Sequence, residues 1–338
     1  MLKILFFAHD PGGANAIKPL IEPLSLKGFK CLVYAKGPAL EILPNAIYYA
    51  NNTDNLVKSI MPNFIITGTS VSDMTEKELR LSAQKCGIEC LAILDSWVNY
   101  NRFTKFSPLE LSINKRYNEL LYLPTYLIVI DKYAKNEAIK ECVPKEIIYP
   151  LGNPHFGYIK DCFKEQNIDE LRDSLLNDKQ KLILWVQEPH TNEHGLESLK
   201  DLAELIPDNA SLIIKPHPRE NYEKFAKIAK GGIIIDKNIS SLEAIKIADL
   251  VVSMTSMMLV ESVILNKNAL SYQKDEINDN KFILTKRKIL PFINNKISLK
   301  NELQKALNTD KYAYKDINLD FNATKNIIKF IEDKICQN

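Results

Sequence analysis

The chain has 338 residues, 46% of them hydrophobic and 25% charged, and 44 Lys and Arg against 42 Asp and Glu leave a net charge of +2. That length and composition fit two globular domains, each long enough to bury its own core. The near-neutral balance gives no support to nucleic-acid binding, which needs a basic face, and no apolar run approaches the ~20 residues of a membrane span.

Residues 1–9 (MLKILFFAH) are too short for a secretory signal and read as a first strand. The six cysteines, Cys31, Cys86, Cys90, Cys142, Cys162 and Cys336, are scattered, with no second pair to match the CxxxC of Cys86 and Cys90. Unpaired thiols fit a reducing compartment. The expected location is cytoplasmic, with a peripheral contact on the inner membrane face left open.

In the first half, strands are predicted over 2–9, 30–35, 63–69, 89–94, 126–131 and 146–152. In the second half they are predicted over 181–187, 211–217, 232–236, 249–254 and 269–273. Most are continuous apolar runs, the pattern of strands covered on both faces in a parallel sheet. Helical patterns over 15–27, 74–86, 196–205, 222–230 and 241–247 lie between them. Repeated βα units give an α/β fold class: two Rossmann-like domains with parallel sheets, facing each other across a cleft. Gly152 and Pro154 interrupt the last strand of the first half. The expected domains are therefore 1–152, on the acceptor side, and 153–338, holding the nucleotide. A final helix over 322–335 is expected to return to the first domain.

Five clusters follow strand ends, where open α/β sheets bind ligands. In HDPGGAN, Gly12 and Gly13 free backbone amides at a helix start, and Asp10 is the candidate general base. The bland alternative makes Asp10 a helix cap. In GTSVSD and LDSWVNYNRF, the residues Ser70, Asp95, Asn99 and Arg102 are candidates to line an acceptor pocket, while Trp97 reads as packing. The loop QEPHTNEHG holds Glu188 and His190; it lacks the helical HExxH arrangement, so a nucleotide-facing loop is favoured over a metal site. KPHPRE places His217 and Arg219 in a proline-stiffened turn suited to phosphate. In SMTSMMLVES, the hydroxyls of Ser253, Thr255 and Ser256 stand before an apolar helix that carries Glu261, and they are expected both to cap it and to bind phosphate.

Together these features resemble the GT-B superfamily of nucleotide-sugar-dependent glycosyltransferases and its relatives, the UDP-N-acetylglucosamine 2-epimerases. His217–Pro218 and the Ser253, Thr255, Ser256 cluster are similar to motifs of bacterial sialyl-, Kdo- and glycerophosphotransferases. The resemblance implies that His217 and the hydroxyl cluster hold the donor phosphate and that Asp10 is the base. The first-domain turn departs from the sialyltransferase motif, and the second-domain acidic and His pattern of the epimerases is not evident. The resulting expectation is a glycosyltransferase moving sugar from a CMP- or UDP-linked donor to a carbohydrate or glycolipid acceptor of surface polysaccharide assembly, with no metal or other cofactor. The alternatives are an epimerase or hydrolase of nucleotide sugars, and a non-catalytic nucleotide-sugar-binding protein.

Overall fold

The computed structural model describes residues 1–71, 73–103, 121–165, 168–176, 178–188, 193–217, 220, 225, 227–228, 232–235, 238–309 and 317–335. The chain divides into two compact units, Met1–Tyr158 with Leu319–Asn338, and Ile159–Asn318.

The first unit runs β1 (Lys3–Ala8), α1 (Pro11–Leu26), β2 (Lys30–Ala35), α2 (Ala39–Ile42), β3 (Ile47–Tyr48), α3 (Thr53–Ile60), β4 (Phe64–Thr67), α4 (Thr75–Lys85), β5 (Cys90–Ile93), β6 (Tyr126–Ile128), α5 (Lys132–Lys140) and β7 (Ile148–Tyr149). Its seven strands are parallel, in the order β3-β2-β1-β4-β5-β6-β7. The continuous apolar runs are explained by the pleat, which sends alternate side chains into two different layers. Ile4, Phe6 and Ala8 of β1 join Ile66 and Leu91 on one face, packed on Ile17, Leu20 and Leu24 of α1. Leu5, Phe7 and Ile65 point the other way, onto Leu56 and Val57 of α3 and Leu79 and Ala83 of α4. Each of the larger side chains contributes roughly 1.5–3 kcal/mol by leaving water.

Helix α6 (Pro154–Glu165) starts where the sequence suggested only a break, and the division between the units falls inside it. Pro154 opens the helix, a position where its missing N–H costs nothing. The second unit continues with α7 (Asp169–Leu176), β8 (Lys181–Val186), α8 (Glu193–Leu205), β9 (Ala210–Lys215), β10 (Ile233–Ile234), α9 (Ser241–Ile247), β11 (Leu250–Ser253), α10 (Met257–Ile264), β12 (Asn268–Ser271), α11 (Ile283–Lys286) and α12 (Lys296–Leu307). Its sheet is also parallel, in the order β10-β9-β8-β11-β12. Ile183, Trp185, Ile214, Val252 and Leu270 pack there against Leu199 and Leu202 of α8 and Leu299 and Leu303 of α12.

The final helix, α13 (Ala323–Ile335), belongs to the first unit and adds Ile327, Ile328 and Ile331 to its core. Two glycines make room for that returning segment. Gly152 has φ +97°, and a Cβ on it would lie 2.7 Å from the Cβ of Ala323; one on Gly157 would lie 2.5 Å from the Phe321 carbonyl oxygen.

Most of the predicted strands recur in place. The two-residue β3 is an addition, and α1 begins four residues earlier than its apolar pattern did, because Pro11, Gly12 and Gly13 form its first turn. The helix predicted over 222–230 lies largely outside the described residues. Among the described residues, no helix is long and apolar enough to cross a membrane.

Candidate functional site

Strand order reverses once in each sheet, between β1 and β4 in the first and between β8 and β11 in the second. At such a switch point the connections leave in opposite directions, and a crevice opens beyond the carboxyl ends of the strands. The sequence-predicted residues concentrate at these two places.

At the first switch point, Asp10 follows β1 and occupies the N-cap position of α1, yet its side chain makes no cap bond. The carboxylate turns toward the loop after β4, where Oδ2 accepts from Ser70 Oγ at 2.9 Å and Val71 N at 3.2 Å. Oδ1 lies 2.7 Å from His9 Nδ1, and His9 Nε2 lies 3.6 Å from Asp73. Asp73 in turn accepts from Lys36 Nζ at 2.8 Å. Desolvation opposes the ionisation of Asp73, but the Lys36 and Thr75 hydrogen bonds and the His9 charge outweigh it and hold the carboxyl below its ordinary value. Asp10 is thus held by an imidazole, a hydroxyl and an amide, and a quarter of its side chain stays exposed.

The loop after β5 supplies Asp95. Its Oδ1 receives Arg102 Nη1 at 2.6 Å, and the same nitrogen donates to the carbonyl and hydroxyl oxygens of Thr69. Gly12 is a glycine for want of space: a Cβ there would sit 1.8 Å from Asp95 Oδ2. The Asp95 carboxylate therefore lies against the first turn of α1, where the helix dipole favours negative charge. Asn99, exposed and with φ +64°, serves the backbone instead, accepting from Arg102 N at 3.2 Å. Trp97 is buried and stacked on Phe156, and the Tyr100 hydroxyl donates to the Ala134 carbonyl, so both are packing residues.

The second switch point repeats the pattern with other residues. Glu188, just after β8, reaches the turn after β11. Its carboxylate accepts from Thr255 Oγ1 at 2.7 Å, from Thr255 N, and from Ser253 Oγ at 3.2 Å. Ser253 Oγ is also 2.8 Å from the Val186 carbonyl oxygen. Ser256 is the N-cap of α10, accepting from Met258 N at 3.2 Å. Glu261 lies half-buried in the second turn of that helix. Two of the hydroxyls that the sequence offers to a phosphate, those of Ser253 and Thr255, are thus engaged here by the protein's own carboxylate.

Half-buried His217 follows β9, the neighbour of β8 on the side away from β11. Because all these strands are parallel, His217 and the Ser253–Ser256 turn share the carboxyl edge of the sheet. Arg219 and His190 lie outside the described residues. Among the described residues, no group of three His, Cys, Asp or Glu side chains is placed to hold a metal ion.

Sequence reasoning missed the layer beneath the first switch point. Glu76, Lys77 and Arg80 of α4 are buried, and Arg80 Nη1 donates at 3.2 Å to both Thr67 Oγ1 and the Gly68 carbonyl. Positions 76, 79, 80 and 83 form one helix stripe whose other members are Leu79 and Ala83. Charges set in an apolar stripe were the available signal.

No family model matches the chain, and no curated protein matches it. Solved structures match it over nearly its whole length. UDP-GlcNAc 2-epimerase from Methanocaldococcus jannaschii superposes with a TM-score of 0.72 at 15% identity, covering 98% of this chain and 100% of its own. S. aureus MnaA with UDP gives 0.71 at 16%, covering 99% and 97%. UDP-GlcNAc 2-epimerase from Neisseria meningitidis bound to UDP-GlcNAc gives 0.70 at 14%, covering 98% and 100%. The chain has the α/β, GT-B-like fold of these proteins, with two parallel sheets. The glycosyltransferase expectation is corrected by the same finding, since several UDP-GlcNAc 2-epimerase structures match the chain from end to end. The narrower likeness to transferases with cytidine-linked donors gains no support from them.

Proposed function

We propose that the protein is a nucleotide-sugar epimerase acting on a UDP-linked N-acetylhexosamine. The observation that carries this reading is the end-to-end likeness to UDP-GlcNAc 2-epimerases. The carboxylates at the switch points support it. Inverting a ring carbon that bears hydrogen means removing a proton from one face and returning one to the other, so the chemistry calls for positioned proton-handling groups. In this reading Asp10 is the principal one, oriented by His9, Ser70 and Val71, and Asp95 is the second, held by Arg102. The nucleotide belongs to the second unit. There His217, Arg219 and the Ser253, Thr255, Ser256 turn hold the diphosphate, with Glu261 beside it. The proton exchange itself calls for no metal.

The test is incubation of the protein with UDP-GlcNAc in deuterated water, followed by proton NMR. The expected result is a second isomer that carries deuterium at the inverted carbon. Release of free sugar alone would make the protein a hydrolase. If UDP-, GDP-, CDP- and CMP-linked sugars all remain unchanged, with neither isomer, exchange nor released nucleotide, the reading is wrong.

A further inference from the structure

Glu76 is fully buried in the first turn of α4, directly beneath the first switch point. Its Oε1 accepts from the backbone N of His9 at 2.9 Å, and its Oε2 accepts from the backbone N of Ser70. One carboxyl therefore ties the loop after β1 to the loop after β4, and those loops carry Asp10 and its partners Ser70 and Val71. The space for it is cleared by two glycines. A Cβ on Gly68 would lie 2.8 Å from the Cα of Gly13 and 2.9 Å from Glu76 Oε1, so any larger residue at position 68 would push the loops or the carboxyl away.

We propose that Glu76 is the positioning residue of this site: a buried carboxyl that clasps the two loops by their amides and so sets Asp10 against Ser70 and Val71. It touches no substrate and acts through the loops it holds. As a carboxylate it offers one good acceptor to each loop. Once protonated, one oxygen becomes a poorer acceptor, and its proton needs a partner of its own. The clasp is therefore weaker in acid. The groups that face Glu76 are Asp10 from the β1 loop, Arg80 and Lys77 from its own helix, and Cys90 from β5. Arg102 faces the Arg80 guanidinium. Burial pushes the Glu76 carboxyl up to about 7 despite Arg80 and the two amides, so the change in the clasp falls near neutrality. Cys90 carries no charge there, since burial pushes its thiol up to about 12.

The inference rests on reading the first-unit site as the one that handles protons, and two measurements separate it from that reading. The first needs no turnover. In the wild-type protein, the amide resonances of His9 and Ser70 are expected to move together between about pH 5.5 and 8.5, with one midpoint near that of the carboxyl. If those two amides do not titrate together, the clasp is overturned, whether or not the protein is an epimerase. The second is kinetic. Glu76→Gln turns an N–H donor toward one of the two loops, so kcat should fall ~10–100-fold with KM within about twofold, as for a misplaced rather than a missing group. Its acid limb in the pH profile should vanish, and Glu76→Asp should restore part of the rate. An active Gln variant with an unchanged pH profile overturns the inference. Should the Gln variant not fold, the wild-type amide titration decides alone.

Discussion

The two switch points differ in which residue gives up its ordinary job. In both, a carboxylate from the loop after the unit's first strand crosses to a hydroxyl and an amide on the loop beyond the reversal: Asp10 to Ser70 and Val71, Glu188 to Ser253 and Thr255. At the second, the helix that starts there keeps a conventional cap, Ser256. At the first, the residue at the cap position turns its side chain away from α1, although capping is worth about 1 kcal/mol. A stabilising contact left unmade at the first site fits the proton-handling role proposed for it, and the conventional cap at the second fits the nucleotide-holding role proposed there.

The largest effect should separate these roles. Asp10→Asn keeps the shape and removes the base, so turnover should fall by ~10²–10⁴-fold. UDP affinity, measured by calorimetry, should stay within about twofold, because the proposed nucleotide residues are on the other unit. An Asn variant with an undiminished rate would move the proton-handling role to Asp95 and dissolve the contrast between the two sites.

A second difference lies underneath. The first switch point stands on a buried carboxyl, Glu76, whose proton affinity is raised by desolvation first, with Arg80 and the amides of Ser70 and His9 opposing. Between its ordinary 4.5 and about 7, the folded chain therefore binds more protons than the unfolded chain. Stability should fall as pH rises through that window and then level off. The size of this contribution is on the order of 3 kcal/mol. Denaturant unfolding at several pH values measures it, and in a folded Glu76→Gln variant the slope in that window should flatten. Equal slopes for the wild type and the Gln variant in that window would mean that Glu76 takes up no proton on folding there. The clasp would thus be tightest where it costs the fold most, as happens when stability is traded against a preorganised site.

How much of this was legible follows from which interactions leave a local trace. The apolar runs of β1, β8 and β11 made both sheets readable, and the polar clusters at their ends located both switch points. Strand β3 was not readable, because Ile47 and Tyr48 are exposed and too few to form a run. Pro154 reads as a break in the chain and is in fact a helix start. Glu76 and Arg80 interrupt an apolar helix stripe in the sequence, but only the tertiary fold shows that His9 and Ser70 lie over Glu76. Glu188 stands out in the sequence as a candidate, but its partners lie 65 and 67 positions away, beyond any motif.

The Glu188 contact sharpens the comparison at smaller scale. Its carboxylate occupies the donors of Ser253 and Thr255 at the start of α10, where a diphosphate would compete with it. Glu188→Ala should free them and tighten UDP about tenfold, the worth of a modest charge-assisted hydrogen bond. Weaker binding in that variant would instead make Glu188 part of the nucleotide site.

The smallest effect tests the cap itself. Ser256→Ala removes the hydroxyl that accepts from Met258 N and should cost about 1 kcal/mol. In a chain of this size that is a fall in Tm of about 1–2 °C by scanning calorimetry. UDP binding should change little, because the backbone amides at the helix start remain. Asp10→Ala gives the counterpart, since that side chain caps nothing: α1 should lose no capping energy, and any loss of stability should come from the broken contacts with His9, Ser70 and Val71. Pairing Asp10→Ala with Ser70→Ala in a double-mutant cycle resolves the source, because a helix-capping loss would simply add, whereas a shared hydrogen bond gives a coupling energy above about 0.5 kcal/mol. Additive behaviour at the first site, beside a normal cap loss at the second, would mean that the two helix starts are built alike after all.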